Sequence, residues 1–188
     1  MCGIIGYTNN VSNNQSVIEN MLQKISHRGP DDQGYYQDSK ITLGMRRLSI
    51  IDLDSGNQPL FNEDKSLILV FNGEIYNYQV LRAKLISLGH TFTTNSDSEV
   101  IIHGYEEYGN DIVNHLRGMF AFAIYNIHTK ALFIARDIFG IKPLFYTIVK
   151  NELVFASEIK ALFEYPGVGV IKQLSAEEMS YHVIAGIA

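Results

Sequence analysis

The sequence predicts an α+β protein built around one main domain. Three features lead to this prediction: short apolar runs that end at turn-forming residues, a few helices with amphipathic spacing, and a final series of strands joined by short turns. Consecutive hairpins pair strands antiparallel and do not build a parallel sheet. We therefore expect sheets that pack on each other, with helices covering the outside.

The first half of the chain alternates strands with helices. Strands are predicted at residues 3–8, 34–37, 41–48 and 67–71. Apolar residues with helical spacing predict a helix from Val17 that ends before the turn-forming segment 27–32. A loop rich in turn formers is expected at 52–59.

Two further helices are predicted in the middle of the chain. Asn77 is a plausible N-cap for the first, which ends at Gly89. One face of this helix carries Leu81, Leu85 and Leu88. The segment 96–99, Ser-Asp-Ser-Glu, has the capping-box pattern and is expected to open the second helix.

The rest of the chain is predicted to be mainly β. Strands are expected at 119–127, 131–136, 144–149 and 153–156, with short turns at 128–129 and 150–151. A capped helix that opens at 175–178 runs into an apolar ending, which needs a surface to pack on. We therefore expect residues 2–165 to form the main domain and 166–188 to be a linker and the start of a second domain.

Composition and charge exclude several classes of protein. Fifteen Lys and Arg against 20 Asp and Glu give a net charge of -5 without a basic stripe, so nucleic acid is not expected as a partner. The apolar runs are shorter than a membrane span, and no secretory signal is recognisable. A single cysteine excludes an intramolecular disulfide. These features predict a cytoplasmic protein without a membrane association.

Cys2 is the first candidate catalytic residue. A thiolate is a strong nucleophile when a base lies beside it. Removal of Met1 would leave a free α-amine on Cys2, and an α-amine is a base of suitable strength near neutral pH. Taken alone, a cysteine here is more often a small apolar residue that opens a strand.

Asn72 and Gly73 are candidates for stabilising a negatively charged intermediate. They lie where a predicted strand gives way to a helix, and Asn-Gly at such a place is ordinarily a turn. In the alternative interpretation, the Asn72 amide and the Gly73 backbone N–H both point into one site, as an oxyanion hole requires.

Arg47 and Asp97 could hold the two ends of an amino acid. A strand sends Arg46 and Arg47 to opposite faces, so at most one of them faces a ligand. The arginine fork suits a carboxylate, and Asp97 could pair with an ammonium group. Each has a simpler interpretation, as an exposed arginine or as an acid near a helix N-terminus. Only together with Cys2 and Asn72 do these residues favour a catalytic site.

Several segments resemble one known family. They are residues 1–6, 27–31, 47–52, 72–77, 96–99, 118–123, 136–137 and 140–144. They resemble the class II glutamine amidotransferases of the N-terminal nucleophile hydrolases, and most closely the amidotransferase domain of asparagine synthetases. The resemblance covers nearly the whole chain and keeps the family's order.

The resemblance implies a four-layer αββα fold and the hydrolysis of glutamine to glutamate and ammonia. It assigns catalysis to Cys2 as nucleophile with its own α-amine as base, and to Asn72 and Gly73 as oxyanion hole. It implies that Arg47 binds the α-carboxylate of glutamine and that Asp97, with Glu74, binds the α-amine. It also implies that the backbone of four residues lines the pocket: Leu48, Ser49, Ile50 and Ile51.

The resemblance also implies partners and cofactors. Longer members pass ammonia to an ATP-dependent synthetase domain, whereas this chain has neither a Ser-Gly-Gly-Asp-type loop nor a G-x-x-x-x-G-K motif. We therefore expect glutamine as substrate, a synthetase domain or subunit as partner, and Mg-ATP only on that partner. No cofactor is expected in this domain, and a homodimer is a further option.

Other classes remain as alternatives. One is a stand-alone N-terminal nucleophile hydrolase acting on another amide, and another is an inactive interaction module with the same fold. The six histidines have no zinc-ligand spacing, so no metal site is predicted, although His27 lies in a matched segment and is expected to brace the site. The absence of G-x-S-x-G argues against a serine hydrolase.

Overall fold

Two antiparallel sheets form the centre of the protein. The computed structural model describes residues 1–9, 14–48 and 57–168. The strands within these ranges are β1 (Gly3–Thr8), β2 (Asp32–Gln37), β3 (Ile41–Arg47), β4 (Leu60–Phe61), β5 (Leu67–Ile75), β6 (Gly118–Asn126), β7 (Leu132–Arg136), β8 (Phe145–Val149) and β9 (Glu152–Ala156). The first sheet has the order β2-β3-β1-β9-β8, and the second has the order β4-β5-β6-β7.

Helices cover the outer face of each sheet. They are α1 (Asn14–Lys24), α2 (Tyr78–Ser87), α3 (Glu99–Tyr108), α4 (Ile112–His115) and α5 (Ile159–Leu162). α1 and α5 share a core with the first sheet, through residues such as Met21, Leu162 and Ile5. α2, α3 and α4 share a second core with the other sheet. No helix among the described residues combines the length and apolar character needed to cross a membrane.

A third core lies between the two sheets. Ile4 and Leu43 from the first sheet pack in one cluster with Val70 and Ala121 from the second. Full burial of an Ile, Leu or Val side chain contributes roughly 1.5 to 3 kcal/mol relative to exposure, so this layer holds the sheets face to face. The predicted α+β class is confirmed, and the layers are helix, sheet, sheet and helix.

The predicted strands are confirmed with small shifts of their ends, but β5 is longer than expected. The prediction ended this strand at Phe71, whereas β5 continues to Ile75 and pairs with β6 along its whole length. Asn72 lies opposite Ala121, and Gly73 lies opposite Phe120. The turn interpretation of Asn-Gly was wrong because pairing with β6 overrides the local preference for a turn.

The predicted helices are present, with two differences in detail. Leu88 was expected on the same helix face as Leu81 and Leu85, which are buried, yet it lies just after the end of α2 at Ser87 and is about half exposed. The capping box at 96–99 does not form: α3 begins at Glu99, and no side chain caps its N-terminus. The Glu99 carboxylate instead accepts hydrogen bonds from the backbone N–H groups of Thr93 and Thr94, at 2.8 Å each.

The C-terminal boundary of the domain stays a prediction. Tyr165 and Val168 are both buried in the core beneath α1 and α5, so packing extends to Val168, beyond the predicted boundary at 165. Residues 169–188, including the predicted helix at 175–178, lie outside the described residues.

Candidate active site

A pocket of about 340 Å³ opens at one end of the two sheets. It lies where β1 and β6 begin and where β3 and β5 end, so both sheets contribute to its walls. The residues that line it are Met1, Cys2, Arg47, Leu48, Gln58, Phe71, Asn72, Gly73, Glu74, Ser96, Asp97, Met119, Ile141 and Lys142.

The pocket brings together most of the predicted site residues. Seven of them line it, although they come from four separate parts of the chain: Cys2, Arg47, Leu48, Asn72, Gly73, Glu74 and Asp97. The other three, Ser49, Ile50 and Ile51, lie outside the described residues. This convergence makes the pocket the candidate active site.

Cys2 is held at the pocket by its neighbours in the first sheet. The strand that follows it, β1, lies between β3 and β9. The Arg28 Nε donates a hydrogen bond to the Cys2 carbonyl oxygen at 2.9 Å. The Leu48 backbone N–H lies 3.4 Å from the Cys2 Sγ and donates to it. The Cys2 thiol in turn lies 3.6 Å from the Leu48 carbonyl oxygen, to which it donates.

Asn72 has an unused hydrogen-bond donor inside the pocket wall. The residue is 1% exposed, and its Nδ2 has no hydrogen-bond partner among the described residues. A buried donor without a partner costs about 1 to 3 kcal/mol and calls for an explanation in function. A negatively charged oxygen bound beside Cys2 would supply the missing acceptor.

Gly73 leaves no room for a side chain beside Asn72. A Cβ atom at this position would lie 2.3 Å from the Met119 carbonyl oxygen and 2.8 Å from the Phe120 Cα. Both contacts are with the backbone of β6, which cannot move without disturbing the sheet. Glycine is therefore required here by the close pairing of β5 with β6.

The two consecutive arginines point to different places, as predicted. Arg47 is 5% exposed and lines the pocket, with its Nη1 donating to the Asn57 Oδ1 at 2.7 Å. Arg46 lies against the end of α1, where its Nε donates to the Leu22 carbonyl at 3.3 Å. Of these two arginines, Arg47 is therefore the one that contributes a cationic group to the pocket wall.

Asp97 and Glu74 give the pocket a negatively charged side. Burial raises the pKa of Asp97, and the nearby Glu74 carboxylate raises it further, against the hydrogen bond from the Ile75 N–H. That hydrogen bond, 2.7 Å to the Asp97 Oδ2, fixes the carboxylate. Two acidic groups in one wall favour a cation between them.

Two polar pocket residues, Gln58 and Lys142, received no predicted role. The Gln58 Oε1 accepts a hydrogen bond from the Phe71 N–H at 2.7 Å, and this bond holds the Gln58 side chain against β5. Lys142 is buried, and its Nζ lies 3.5 Å from the Met1 Sδ. Lys142 stood in a segment matched to the family, so a signal for it existed, whereas no sequence pattern singled out Gln58.

A hydrogen-bonded turn carries Lys142 to the pocket. The Asp137 carboxylate accepts from the backbone N–H groups of Ile141 at 2.9 Å and Lys142 at 3.0 Å. The Arg136 side chain donates to the carbonyls of Lys142, at 2.8 Å, and Gly140. The matched segments 136–137 and 140–144 thus build one wall of the pocket.

A cluster of charged side chains contacts the backbone of Cys2. The Glu158 Oε1 lies 2.8 Å from the His27 Nε2 and 3.1 Å from the Arg28 Nη1, and Arg28 in turn holds the Cys2 carbonyl. Burial raises the pKa of Glu158, but hydrogen bonds from Lys160, Arg28 and His27 outweigh it and lower the pKa to about 2. The expected bracing role of His27 acts through Glu158.

Replacing Glu158 with glutamine should weaken the fold in a pH-dependent way. A pKa lowered from 4.5 to about 2 means that ionised Glu158 stabilises the fold fully above pH 4.5 and loses this effect as the pH falls towards 2. Urea midpoints of the wild type and Glu158→Gln should therefore differ most at neutral pH and converge in acid. Glu19→Gln, on the exposed face of α1, is the control, and a difference independent of pH would contradict this expectation.

Solved structures of other proteins have a similar fold. The chain matches glutamine phosphoribosylpyrophosphate amidotransferase from B. subtilis, complexed with ADP and GMP, with a TM-score of 0.72 and 24% identity, over 86% of this chain and 43% of that one. A structure titled as the allosteric regulatory enzyme of purine biosynthesis matches with a TM-score of 0.73 and 23% identity, over 87% and 43%. The chain therefore shares with both proteins a fold in which two antiparallel sheets lie between layers of helices.

Sequence comparisons then give the family. The family described as glutamine amidotransferase domain matches residues 1–185, and the chain belongs to this family. It is 49% identical over 171 residues to the glutamine-hydrolysing asparagine synthetase 2 of Bacillus subtilis (strain 168), covering 88% of this chain and 23% of that protein. It is 45% identical to asparagine synthetase 2 of Arabidopsis thaliana, covering 86% and 28%. The chain spans about a quarter of the length of these relatives.

Proposed function

We propose that this protein hydrolyses glutamine to glutamate and ammonia through a thioester on Cys2. The observation that carries the proposal is the buried Asn72 Nδ2, which has no hydrogen-bond partner in the described part of the chain and lies in the wall of the pocket that also holds Cys2. A nucleophile beside an unused donor is the arrangement that acyl transfer requires. Membership of the glutamine amidotransferase domain family supports glutamine as the substrate.

The first half of the proposed reaction forms the thioester. Removal of Met1, which borders the pocket, leaves Cys2 with a free α-amine that takes the thiol proton. The sulfur attacks the side-chain amide carbon, and the carbonyl becomes an oxyanion that accepts from the Asn72 Nδ2 and the Gly73 N–H. When the C–N bond breaks, the α-amine returns the proton to the leaving nitrogen, and ammonia departs.

The second half of the reaction repeats these roles with water. The α-amine of Cys2 takes a proton from water, and the resulting hydroxide attacks the thioester carbon. The same donors stabilise the second oxyanion. Breaking the C–S bond releases glutamate, and the proton returns to the sulfur, so the site ends in its starting state.

Charged groups on the pocket wall account for the selection of a free amino acid. In this proposal Arg47 binds the α-carboxylate, since its guanidinium can donate two parallel hydrogen bonds. Asp97 and Glu74 bind the α-ammonium group, which relieves the repulsion between the two carboxylates. Leu48 to Ile51 complete the proposed binding surface, although only Leu48 belongs to the described residues.

Asp97→Asn should weaken glutamine binding more than the chemical step. The substitution keeps the shape and an acceptor for the Ile75 N–H but removes the charge. A hydrogen bond to a charged group contributes about 1.5 to 3 kcal/mol, so kcat/KM should fall by about 10 to 150-fold, mainly through KM. Steady-state kinetics check this result, and an unchanged KM would contradict the role given to Asp97.

The substrate itself tests the proposed function. Purified protein should release equal amounts of glutamate and ammonia from L-glutamine. It should act at least tenfold more slowly on 4-aminobutanamide, which lacks the carboxylate, and on glutaramic acid, which lacks the amine. The first analogue lacks the group that Arg47 is proposed to bind, and the second lacks the group that Asp97 is proposed to bind. Equal rates on all three compounds would mean that the protein is a less selective amidase and not a glutaminase. No turnover of any of them would contradict the proposal.

We also propose that the ammonia is passed to a synthetase domain or subunit that docks beside the pocket. The supporting observation is an apolar surface formed by Ile138, Phe139 and Ile141, which are 90%, 85% and 54% exposed, on the loop that carries Lys142. The relatives named as asparagine synthetases are about three to four times as long as this chain. Mg-ATP belongs to that partner in this proposal, while a homodimer and a cytoplasmic location stay predictions.

A further inference from the structure

Two histidines and two glutamates meet on the helical layer outside the second sheet. Glu63 lies in the loop after β4, and His90 follows the end of α2. His103 and Glu106 are one helical turn apart on α3. One ligand atom from each of the four lies within 4.8 Å of all the others. The group shares no residue with the pocket around Cys2, and no ligand spacing in the sequence predicts it.

Three distances within this group are close to those between the ligand atoms of a tetrahedral zinc site. Zinc binds histidine nitrogen and carboxylate oxygen at about 2.0 to 2.1 Å, which separates the ligand atoms of a tetrahedron by about 3.3 Å. The His103 Nδ1 lies 3.1 Å from the Glu106 Oε2 and 3.3 Å from the Glu63 Oε2. The His90 Nδ1 lies 3.3 Å from the Glu63 Oε1 and 3.6 Å from the Glu106 Oε2. The separations of 3.1, 3.3 and 3.6 Å that involve the Glu63 Oε2 or the Glu106 Oε2 can be edges of one tetrahedron, whereas the His90–Glu63 distance uses the other oxygen of Glu63.

Carboxylates and an amide face the outer side of this group. The His90 Nε2 lies 2.9 Å from the Glu107 Oε1, so a proton on Nε2 leaves Nδ1 free to bind a metal. The Glu106 Oε1 accepts from the Asn62 Nδ2 at 2.8 Å, which turns the other oxygen towards the histidines. Such outer partners fix the tautomer and orientation of metal ligands.

The surroundings of His103 are compatible with the tautomer that metal binding through Nδ1 requires. It is 1% exposed, and its Nε2 has no hydrogen-bond partner among the described residues, with the Glu99 Oε1 3.6 Å away. A metal on Nδ1 would fix the proton on Nε2, which would then point at Glu99. In both rings, Nδ1 would then bind the metal while Nε2 faces a carboxylate.

The electrostatics of the group favour a cation. The carboxylates of Glu63, Glu106 and Glu99 lie within 3.6 Å of the ring nitrogens of His103. The carboxylates therefore attract positive charge to this place. A divalent cation would supply that charge in place of a proton.

We propose that Glu63, His90, His103 and Glu106 form a structural Zn²⁺ site. Four protein ligands close the coordination sphere and leave no position for a substrate, which is typical of structural sites. The metal would tie the loop after β4 and the end of α2 to α3. Its main effect would be on stability, because the four ligands lie outside the pocket.

Zinc titration of the whole chain tests this proposal. The protein carries Cys2→Ala, so that the thiol cannot bind zinc, and is treated with a chelator and then desalted. Isothermal titration with Zn²⁺ should give one equivalent bound, and the thermal midpoint should rise on addition of zinc. Co²⁺ in place of Zn²⁺ should give the strong visible absorption of a four-coordinate site.

Variants separate this site from other zinc binding. His90→Ala and Glu63→Gln should each weaken zinc binding at least tenfold and reduce the rise in thermal midpoint. Glu63→Gln keeps the size of a partly exposed side chain, so it serves even if His90→Ala fails to fold. His128→Ala removes an exposed histidine outside the group and should bind zinc like the parent.

Two results would overturn the proposal. They are the absence of a stoichiometric zinc complex, and binding that Glu63→Gln leaves unchanged. Either would leave the group as a hydrogen-bonded network around a protonated His103. Because all titrations use the Cys2→Ala background, they succeed or fail independently of glutamine hydrolysis.

Discussion

Cys2→Ala is expected to abolish glutamine hydrolysis, with a loss of turnover on the order of 10⁴-fold or more. The reason is that the sulfur forms the bond that both halves of the proposed reaction require. Alanine removes the sulfur but keeps the backbone that Arg28 and β1 hold in place. Neither Asn72 nor any charged wall residue can replace the nucleophile.

Glutamine binding by the same variant is the control for this prediction. Arg47 and Asp97 are unchanged in Cys2→Ala, so calorimetry should detect glutamine binding close to that of the parent protein. Loss of turnover together with retained binding assigns the sulfur to chemistry. Substantial turnover by Cys2→Ala would contradict the account, since another group would then carry the acyl transfer.

Asn72→Ala is expected to lower kcat by about 100 to 1,000-fold with little change in KM, the typical cost of removing one oxyanion donor. The amide meets its acceptor only when the substrate oxygen becomes negatively charged, so its effect belongs to the transition state. Within residues 1–9, 14–48 and 57–168, this donor has no hydrogen-bond partner in the free protein. The folded state therefore loses little hydrogen bonding when the amide is removed.

Asn72→Asp distinguishes lost catalysis from lost packing. Aspartate has the size of asparagine but offers acceptors in place of the donor, and its charge would repel an oxyanion. Its kcat should fall at least as far as that of Asn72→Ala. If a cavity alone explained the alanine result, the aspartate variant would keep most of its activity, and thermal midpoints of both variants would record the packing effect separately.

Much of the fold could be predicted because local patterns and final structure agree. The helical spacing of Val17, Ile18, Met21, Leu22 and Ile25 corresponds to residues that are all buried in the core of the first sheet. The hairpins of the second half have turns at 128–129 and 150–151, with Lys130, Lys150 and Asn151 at positive φ. In these segments the signal lies within a few residues of sequence.

The errors arose where distant partners decide the structure. Asn72-Gly73 has the composition of a turn, but β6 pairs with it and extends β5 to Ile75. Glu99 completes a capping-box pattern, yet its carboxylate bonds to the backbone of Thr93 and Thr94. Both outcomes depend on tertiary packing, which local propensity does not contain.

The candidate site was predictable from the sequence only in part. Charge and residue type singled out Cys2, Asn72, Arg47 and Asp97, and their joint presence favoured a catalytic site, but only the resemblance to a family added Glu74 and residues 48–51. The contributions of Gln58 and Lys142 depend on how loops close over the sheet ends. The meeting of His90 with His103, whose ring centroids are 5.0 Å apart, depends on the packing of α2 against α3.

The central claim is that Cys2, freed from Met1, is a nucleophile in a glutamine pocket, and one measurement tests it most directly. The intact mass of the protein is recorded before and after incubation with a glutamine-mimicking diazo-ketone, which alkylates a reactive amidotransferase cysteine. The account predicts a mass without Met1, a single adduct that excess L-glutamine prevents, and no adduct on Cys2→Ala. Retained Met1, or an adduct that glutamine does not prevent or that Cys2→Ala also forms, would contradict it.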